Sequence, residues 1–360
     1  METNLLKDLQ LKNFCRVTGD LKLTKTQTNF SDLLITRDRE LELQTQQWIS
    51  QRCDLNTILQ RYQNYDARLK DVSWPQHYPA RILSGSGSGC SGNNIFMFFP
   101  NVLNQLPQNE SEVFGLEFID VWTNIFKSTI FAIAHRLFDK ETLLQILPLK
   151  QNLEKTIYLA AVFHEIGHRC GPFQVSPRKL SHNYLDSQLL DIFGELSTDA
   201  LLITKMPEFP EIIQFVVLQR LFWFGRTGFK HNPVSAEINT DNDCWLGSML
   251  WERLSKNGTL IWKDEKLKIN FNQTQKIFPK LISEIDELIR SDDTPTLQKN
   301  RVLCWMKSNV PYDKKFHLPK NFRSCLEAIQ DIEEVPHFQP LYSYSFIEEL
   351  TGAIQNEKFN

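Results

Sequence analysis

The chain has 360 residues, 41% of them hydrophobic and 11% aromatic, with a formal net charge of −3. That is enough apolar material for a sizeable core, which excludes disorder as the default state. The charge is spread without a long block of either sign, so nothing electrostatic points to nucleic acid or an anionic membrane as partner, and no run of about 18 apolar residues offers a membrane-spanning helix.

In chain order, residues 1–75 are polar and mixed, with helical candidates near 31–64. Short apolar runs at 80–84 and 94–99 flank a Gly/Ser loop, residues 84–92, and read as two strands forming a short β-hairpin around it. Within that loop Gly87, Gly89 and Gly92 match a dinucleotide fingerprint in form only, because a β-like apolar run follows where a helix is required. From about 112 the chain carries long apolar segments of helical length: 112–138, 150–170, 186–205, 211–224 and 243–256. Thr259–Trp262 and Leu267–Phe271 flank a charged turn and predict a hairpin. Beyond them, Ile277, Leu281, Ile285 and Leu288 recur at helical spacing. The expected architecture is mainly α with a small β portion. Three regions are expected: an N-terminal helical region with the hairpin and loop (1–105), a helical metal-binding catalytic core (106–260), and a C-terminal hairpin and helical region (261–360).

The segment from Tyr158 to His168 reads YLAAVFHEIGH and is apolar nearly all round, the pattern of a buried helix. Two histidines and a glutamate are costly there unless something pairs with them. His164 and His168 are one turn apart and face the same way, so one ion can be held by both imidazoles. Glu165 sits beside them, where it can touch a water at the metal without being a ligand. His164, His168 and Gly171 begin a metzincin pattern, but that pattern needs histidine where this chain has Gln174. Downstream, Asp191, Glu195 and Asp199 form an acidic stripe at i, i+4 and i+8 through an otherwise apolar helix. One carboxylate of the pair Glu195 and Asp199 could meet the metal while the other holds a metal-bound histidine in orientation. Spacing alone does not choose among the three acids. Gly194 is small enough to let the two helices approach.

HExxH followed on a second helix by ExxxD resembles the gluzincin metallopeptidases, over roughly residues 150–205. The resemblance implies a zincin-like helical core with the HExxH helix packed on the ExxxD helix. It implies one Zn2+ per chain with His164, His168 and Glu195 as ligands, Glu165 as general base and Asp199 behind a histidine. It further implies a peptide or amide substrate, for which residues 94–99 would supply a binding strand. A second electrophile would stabilise the oxyanion. The candidates are His182, Tyr184, Arg220, Arg226 and His231, with His231 preferred for its loop-like setting before Pro233.

Other readings stand beside this one. Two histidines and a carboxylate also suit a non-haem iron oxygenase. A metal-stabilised binding protein without catalysis is the non-enzyme alternative, although a closed structural site has no use for Glu165. A di-iron site is disfavoured, because the second Glu-x-x-His, Glu334 to His337, contains Pro336. The seven cysteines are scattered and lack CxxC spacing. With no basic-then-apolar leader in the opening residues, this suggests a cytoplasmic protein. Nothing sets the oligomeric state.

Overall fold

A computed structural model describes residues 14–18, 32–71, 76–86, 97–98, 114–173, 185, 187–226, 229, 236–237, 242–289, 292–309, 315–316 and 318–333. The protein is mainly helical with a small β portion, as the sequence predicts. Among the described residues no helix is long and apolar enough to cross a membrane. Two compact units are present. One takes its described residues from Met1–Trp48 and Val72–Phe126, the other from Ile49–Asp71 and Lys127–Glu333.

The first unit holds a five-stranded sheet of β1 (Phe14–Thr18), β2 (Asp32–Arg37), β3 (Gln76–Ser86), β4 (Met97–Phe98) and β5 (Phe114–Phe118), in the order β1-β2-β3-β5-β4. Here the sequence-based expectation needs three corrections. The runs on either side of the Gly/Ser loop are both strands, but they do not pair as a hairpin, because β5 lies between them and runs parallel to β3. Most of that loop, residues 87–92, lies outside the described residues. Second, Phe114–Phe118 is a strand rather than the start of a helix; its Leu116 and Phe118 are fully buried and Glu117 nearly so. A strand buried on both faces shows no alternation that would separate it from an apolar helix. Third, the stretch 32–37, expected to be helical, is a strand, and the helices there are Arg39–Ser50 and Leu55–Tyr65. Strand β3 carries a bulge: Leu34 pairs with Ser84 and Ile35 with Ile82, which leaves Leu83 over. Asp120, at the start of helix Ile119–Ile125, accepts the N–H of Ile82 beside the bulge at 3.1 Å and so ties helix to sheet.

The second unit is built on four long helices: α1 (Leu153–Gly167), α2 (Ser187–Lys205), α3 (Pro210–Gln219) and α4 (Asn242–Lys256). Helix α1 buries nine of its residues, including Ile157, Phe163 and Ile166, and it packs on α2. Helix α3 is buried throughout Glu211–Leu218 and continues into a π-helical segment, Arg220–Phe224. The expected C-terminal hairpin forms from Leu260–Lys263 and Lys266–Ile269, with Asp264 and Glu265 both in the left-handed region at its tip. Helices Phe278–Asp286, Pro295–Asn309 and Lys320–Glu327 complete the unit, and Phe322 stacks on the fully buried Trp251 with centroids 4.6 Å apart.

Candidate metal centre

Helix α1 delivers His164 in its last turn, and His168 caps it with its N–H still bonded to the carbonyl of His164 at 3.1 Å. The two imidazoles therefore lie on one face, perpendicular to each other with centroids 4.6 Å apart. Beyond them the backbone of Gly171 is held by Asp66, which accepts its N–H at 3.0 Å, and by Arg68, which donates to its carbonyl at 3.1 Å. Facing α1, helix α2 presents Glu195 and Asp199 one turn apart. The helices meet at Gly167, where an added Cβ would lie 2.8 Å from Cγ2 and 3.3 Å from Cα of Thr198. A close approach of the two helices thus falls on α1 at Gly167.

Three side chains converge. Nε2 of His164 and Nε2 of His168 are 3.0 Å apart. Glu195 places Oε2 3.3 Å from the first and Oε1 3.2 Å from the second. Among the described residues, this is the group of His, Cys, Asp or Glu able to hold a metal ion. The edge of a tetrahedron with metal–ligand bonds of about 2.0 Å is about 3.3 Å, so the triad fits one zinc-sized ion. The outer nitrogens support the same assignment. Nδ1 of His164 faces Oδ1 of Asp199 at 3.5 Å, and Nδ1 of His168 meets Oγ1 of Thr198 at 3.3 Å. With both rings in the Nδ1–H tautomer, each donates outward and turns the Nε2 lone pair inward, as a ligand must. The side chains of His164, His168 and Glu195 stay 17%, 18% and 28% exposed, so water and a substrate can reach them.

The electrostatics call for a cation at this place. Burial opposes charge on His164, yet Glu195 and Asp199 outweigh it and hold its pKa well above the usual histidine range. Burial likewise opposes charge on Glu195, but His168 and His164 hold it well below the carboxylate range. Asp199 is lowered against its burial by Arg220 and His164.

Arg220 opens the π-helical segment after α3 and is 5% exposed. Its Nε donates to Oδ2 of Asp199 at 2.6 Å, its Nη2 to Oε2 of Glu195 at 2.9 Å, and its Nη1 to Oδ1 of Asp243 in the first turn of α4. Each of the three guanidinium nitrogens thus donates to a different carboxylate. Arg226 is likewise buried and donates to the carbonyls of Ile329 and Ile332. His182, Tyr184 and the preferred candidate His231 lie outside the described residues. Asp191 lies on α2 but does not join the triad. Glu165 is half-buried and makes no hydrogen bond or ion pair among the described residues. Sequence reasoning missed Thr198 and Asp243. Thr198 sits inside the ExxxD stretch and is visible as a polar residue next to Asp199, whereas Asp243 reaches the network only through the tertiary fold.

No family model matches this sequence, and no curated protein is similar to it. Solved structures share its fold, two of them as follows. One is dipeptidyl-peptidase III (DPP III) from Caldithrix abyssi, with a TM-score of 0.60 at 13% identity, covering 89% of this chain and 57% of that one. The other is dipeptidyl-peptidase III from Corallococcus sp. strain EGB, with a TM-score of 0.56 at 13% identity, covering 89% of this chain and 56% of that one. The chain thus spans little more than half the length of these structures, and the likeness is one of fold.

Proposed function

We propose that the protein is a zinc-dependent hydrolase of peptide or amide bonds, of gluzincin type. One observation carries the reading: His164, His168 and Glu195 converge at tetrahedral spacing with their outer contacts already made, beside a glutamate, Glu165, that has no partner among the described residues. The fold it shares with two structures named dipeptidyl-peptidase III supports a peptide as substrate.

His164, His168 and Glu195 hold the ion, and Asp199 keeps the His164 ring turned toward it. A zinc ion in this setting supplies Lewis acidity and brings the pKa of water down to about 7. Glu165 takes the proton of the attacking water and passes it to the leaving amine. Its carboxylate suits this role because, among the described residues, no cation or hydrogen-bond donor holds it in place. His231, in its loop before Pro233, is the proposed donor to the oxyanion on sequence grounds.

Metal analysis of protein purified without added metal, with turnover on a peptide library that includes dipeptidyl substrates, tests the reading. The expected result is about one zinc per chain in both wild type and Glu165→Gln, with turnover in the variant lower by about 10²–10⁴-fold. Undiminished hydrolysis by Glu165→Gln refutes the mechanism. Iron in place of zinc favours an oxygenase, for which the same three ligands serve.

A further inference from the structure

The guanidinium of Arg220 is buried amid three carboxylates contributed by two helices, and each of its nitrogens takes a different one. Each of the two α2 acids meets Arg220 through one oxygen. Glu195 gives Oε2 to Arg220 at 2.9 Å, with that oxygen 3.3 Å from Nε2 of His164, and turns Oε1 to Nε2 of His168 at 3.2 Å. Asp199 gives Oδ2 to Arg220 at 2.6 Å and turns Oδ1 to His164 at 3.5 Å. Neither acid can rotate without breaking a charge-assisted bond to a guanidinium that is itself only 5% exposed.

We propose that Arg220 is the positioning residue of the metal centre: it holds the Glu195 carboxylate against the two imidazoles and keeps Asp199 against His164. The inference rests on the metal-binding reading above. One guanidinium offers rigid, divergent donors in a plane, which a lysine ammonium cannot reproduce. It also offsets part of the repulsion among Glu195, Asp199 and Asp243.

The local fold is shaped to this end. The π-helical turn directs the N–H of Gly225 back to the carbonyl of Arg220. That carbonyl is packed against Gly247 of α4, where an added Cβ would lie 2.5 Å from it. Helix α4 can therefore come close enough for Asp243 to close the third ion pair.

Zinc titration of the full chain against a chromophoric chelator, with thermal melting in EDTA, tests this on wild type, Arg220→Lys and Asp243→Asn. Arg220→Lys is expected to keep the fold in EDTA and to bind zinc about 10–100-fold more weakly, the range for a group that orients a ligand. Asp243→Asn leaves the contacts to Glu195 and Asp199 in place and is expected to weaken zinc by a smaller factor, although it too loses a buried ion pair. A purely structural role would instead make zinc affinity follow melting temperature equally in both variants, and that result overturns the proposal. So does wild-type zinc affinity in a folded Arg220→Lys. If Arg220→Lys does not fold, Arg220→Gln is titrated in its place, and wild-type zinc affinity in that variant overturns the proposal. A wild-type protein that takes up no zinc overturns the metal reading together with this inference, whereas the other outcomes spare that reading.

Discussion

Two histidine–carboxylate contacts in this protein have the same length and different surroundings. In the first unit His77 of β3 lies 3.3 Å from Glu117 of β5, with side chains 0% and 3% exposed. In the second, His164 lies 3.3 Å from Glu195, but these side chains are 17% and 28% exposed. The sheet pair is sealed and, among the described residues, belongs to no group of three metal-binding side chains. The helical pair faces a second imidazole, has its outer nitrogens held from behind, and remains open to water. A buried His–carboxylate contact is thus no indicator of a site in itself. Convergence of a third ligand and access from solvent make the difference.

The largest expected effect separates the two pairs. His168→Ala removes one of the three proposed ligands and should reduce zinc affinity by more than the roughly 10–100-fold expected when an orienting partner is lost. His77→Ala should leave zinc stoichiometry at the wild-type value and lower stability by about 3 kcal/mol, as expected when one member of a sealed pair is deleted. Metal content and denaturant melts on both variants check this. Zinc lost from His77→Ala, or full zinc in His168→Ala, would break the comparison.

The same contrast holds for a buried and a half-buried aspartate. Asp199 has Arg220 against it, and its pKa is lowered despite burial. Asp120 accepts backbone N–H groups from Ile82 and Val121, with Arg81 as its nearest charge help, and burial still raises it from 3.8 to about 6. A carboxyl whose pKa is higher in the folded state binds its proton more tightly there. Its contribution to stability is therefore complete below about pH 4 and is lost as the pH rises through about 6. The amplitude is at most about 3 kcal/mol, since each tenfold gain in proton affinity is worth about 1.4 kcal/mol. Asp120→Asn should abolish this dependence. The difference in unfolding free energy between variant and wild type should grow between about pH 4 and about pH 6.5, in favour of the variant. A flat difference across that range would mean that the N–H groups and Arg81 already compensate the buried charge.

The sequence makes these two regions legible to different degrees. The metal helix can be read because its information is local: two histidines one turn apart in an apolar run, then Glu195 and Asp199 one turn apart in another. Periodicity also locates the helices of the second unit and the hairpin at 260–269. The sheet of the first unit is largely hidden. Phe114–Phe118 merges into the helix that follows it, and the partner of β3 is set by a parallel pairing that leaves no signal in either strand. Arg220 is visible in the sequence as a candidate, but its role is not. Its three acids come from two other helices, 21 to 25 residues away in the chain, and only the tertiary fold shows that they meet its nitrogens.

The smallest effect concerns the contact between α1 and α2, which has no counterpart in the sealed pair of the sheet. Gly167→Ala would place a methyl group 2.8 Å from Cγ2 of Thr198. Overpacking of this kind costs about 1–3 kcal/mol. Against that stands a gain of up to about 1 kcal/mol for alanine over glycine in a helix, which is reduced at a last-turn position. The net expectation is a loss of about 1 kcal/mol. Because Thr198 also contacts Nδ1 of His168 at 3.3 Å, any shift of this residue should weaken zinc binding as well. Thr198→Ser supplies the control, since it removes the offending methyl group and keeps the hydroxyl that meets the imidazole. Combined with Gly167→Ala it should restore both stability and zinc affinity, so that the two substitutions couple favourably in a double-mutant cycle. If the double variant is no better than Gly167→Ala alone, the methyl contact does not set the helix spacing, and the 3.3 Å approach of the new Cβ to the backbone of Thr198 becomes the controlling contact.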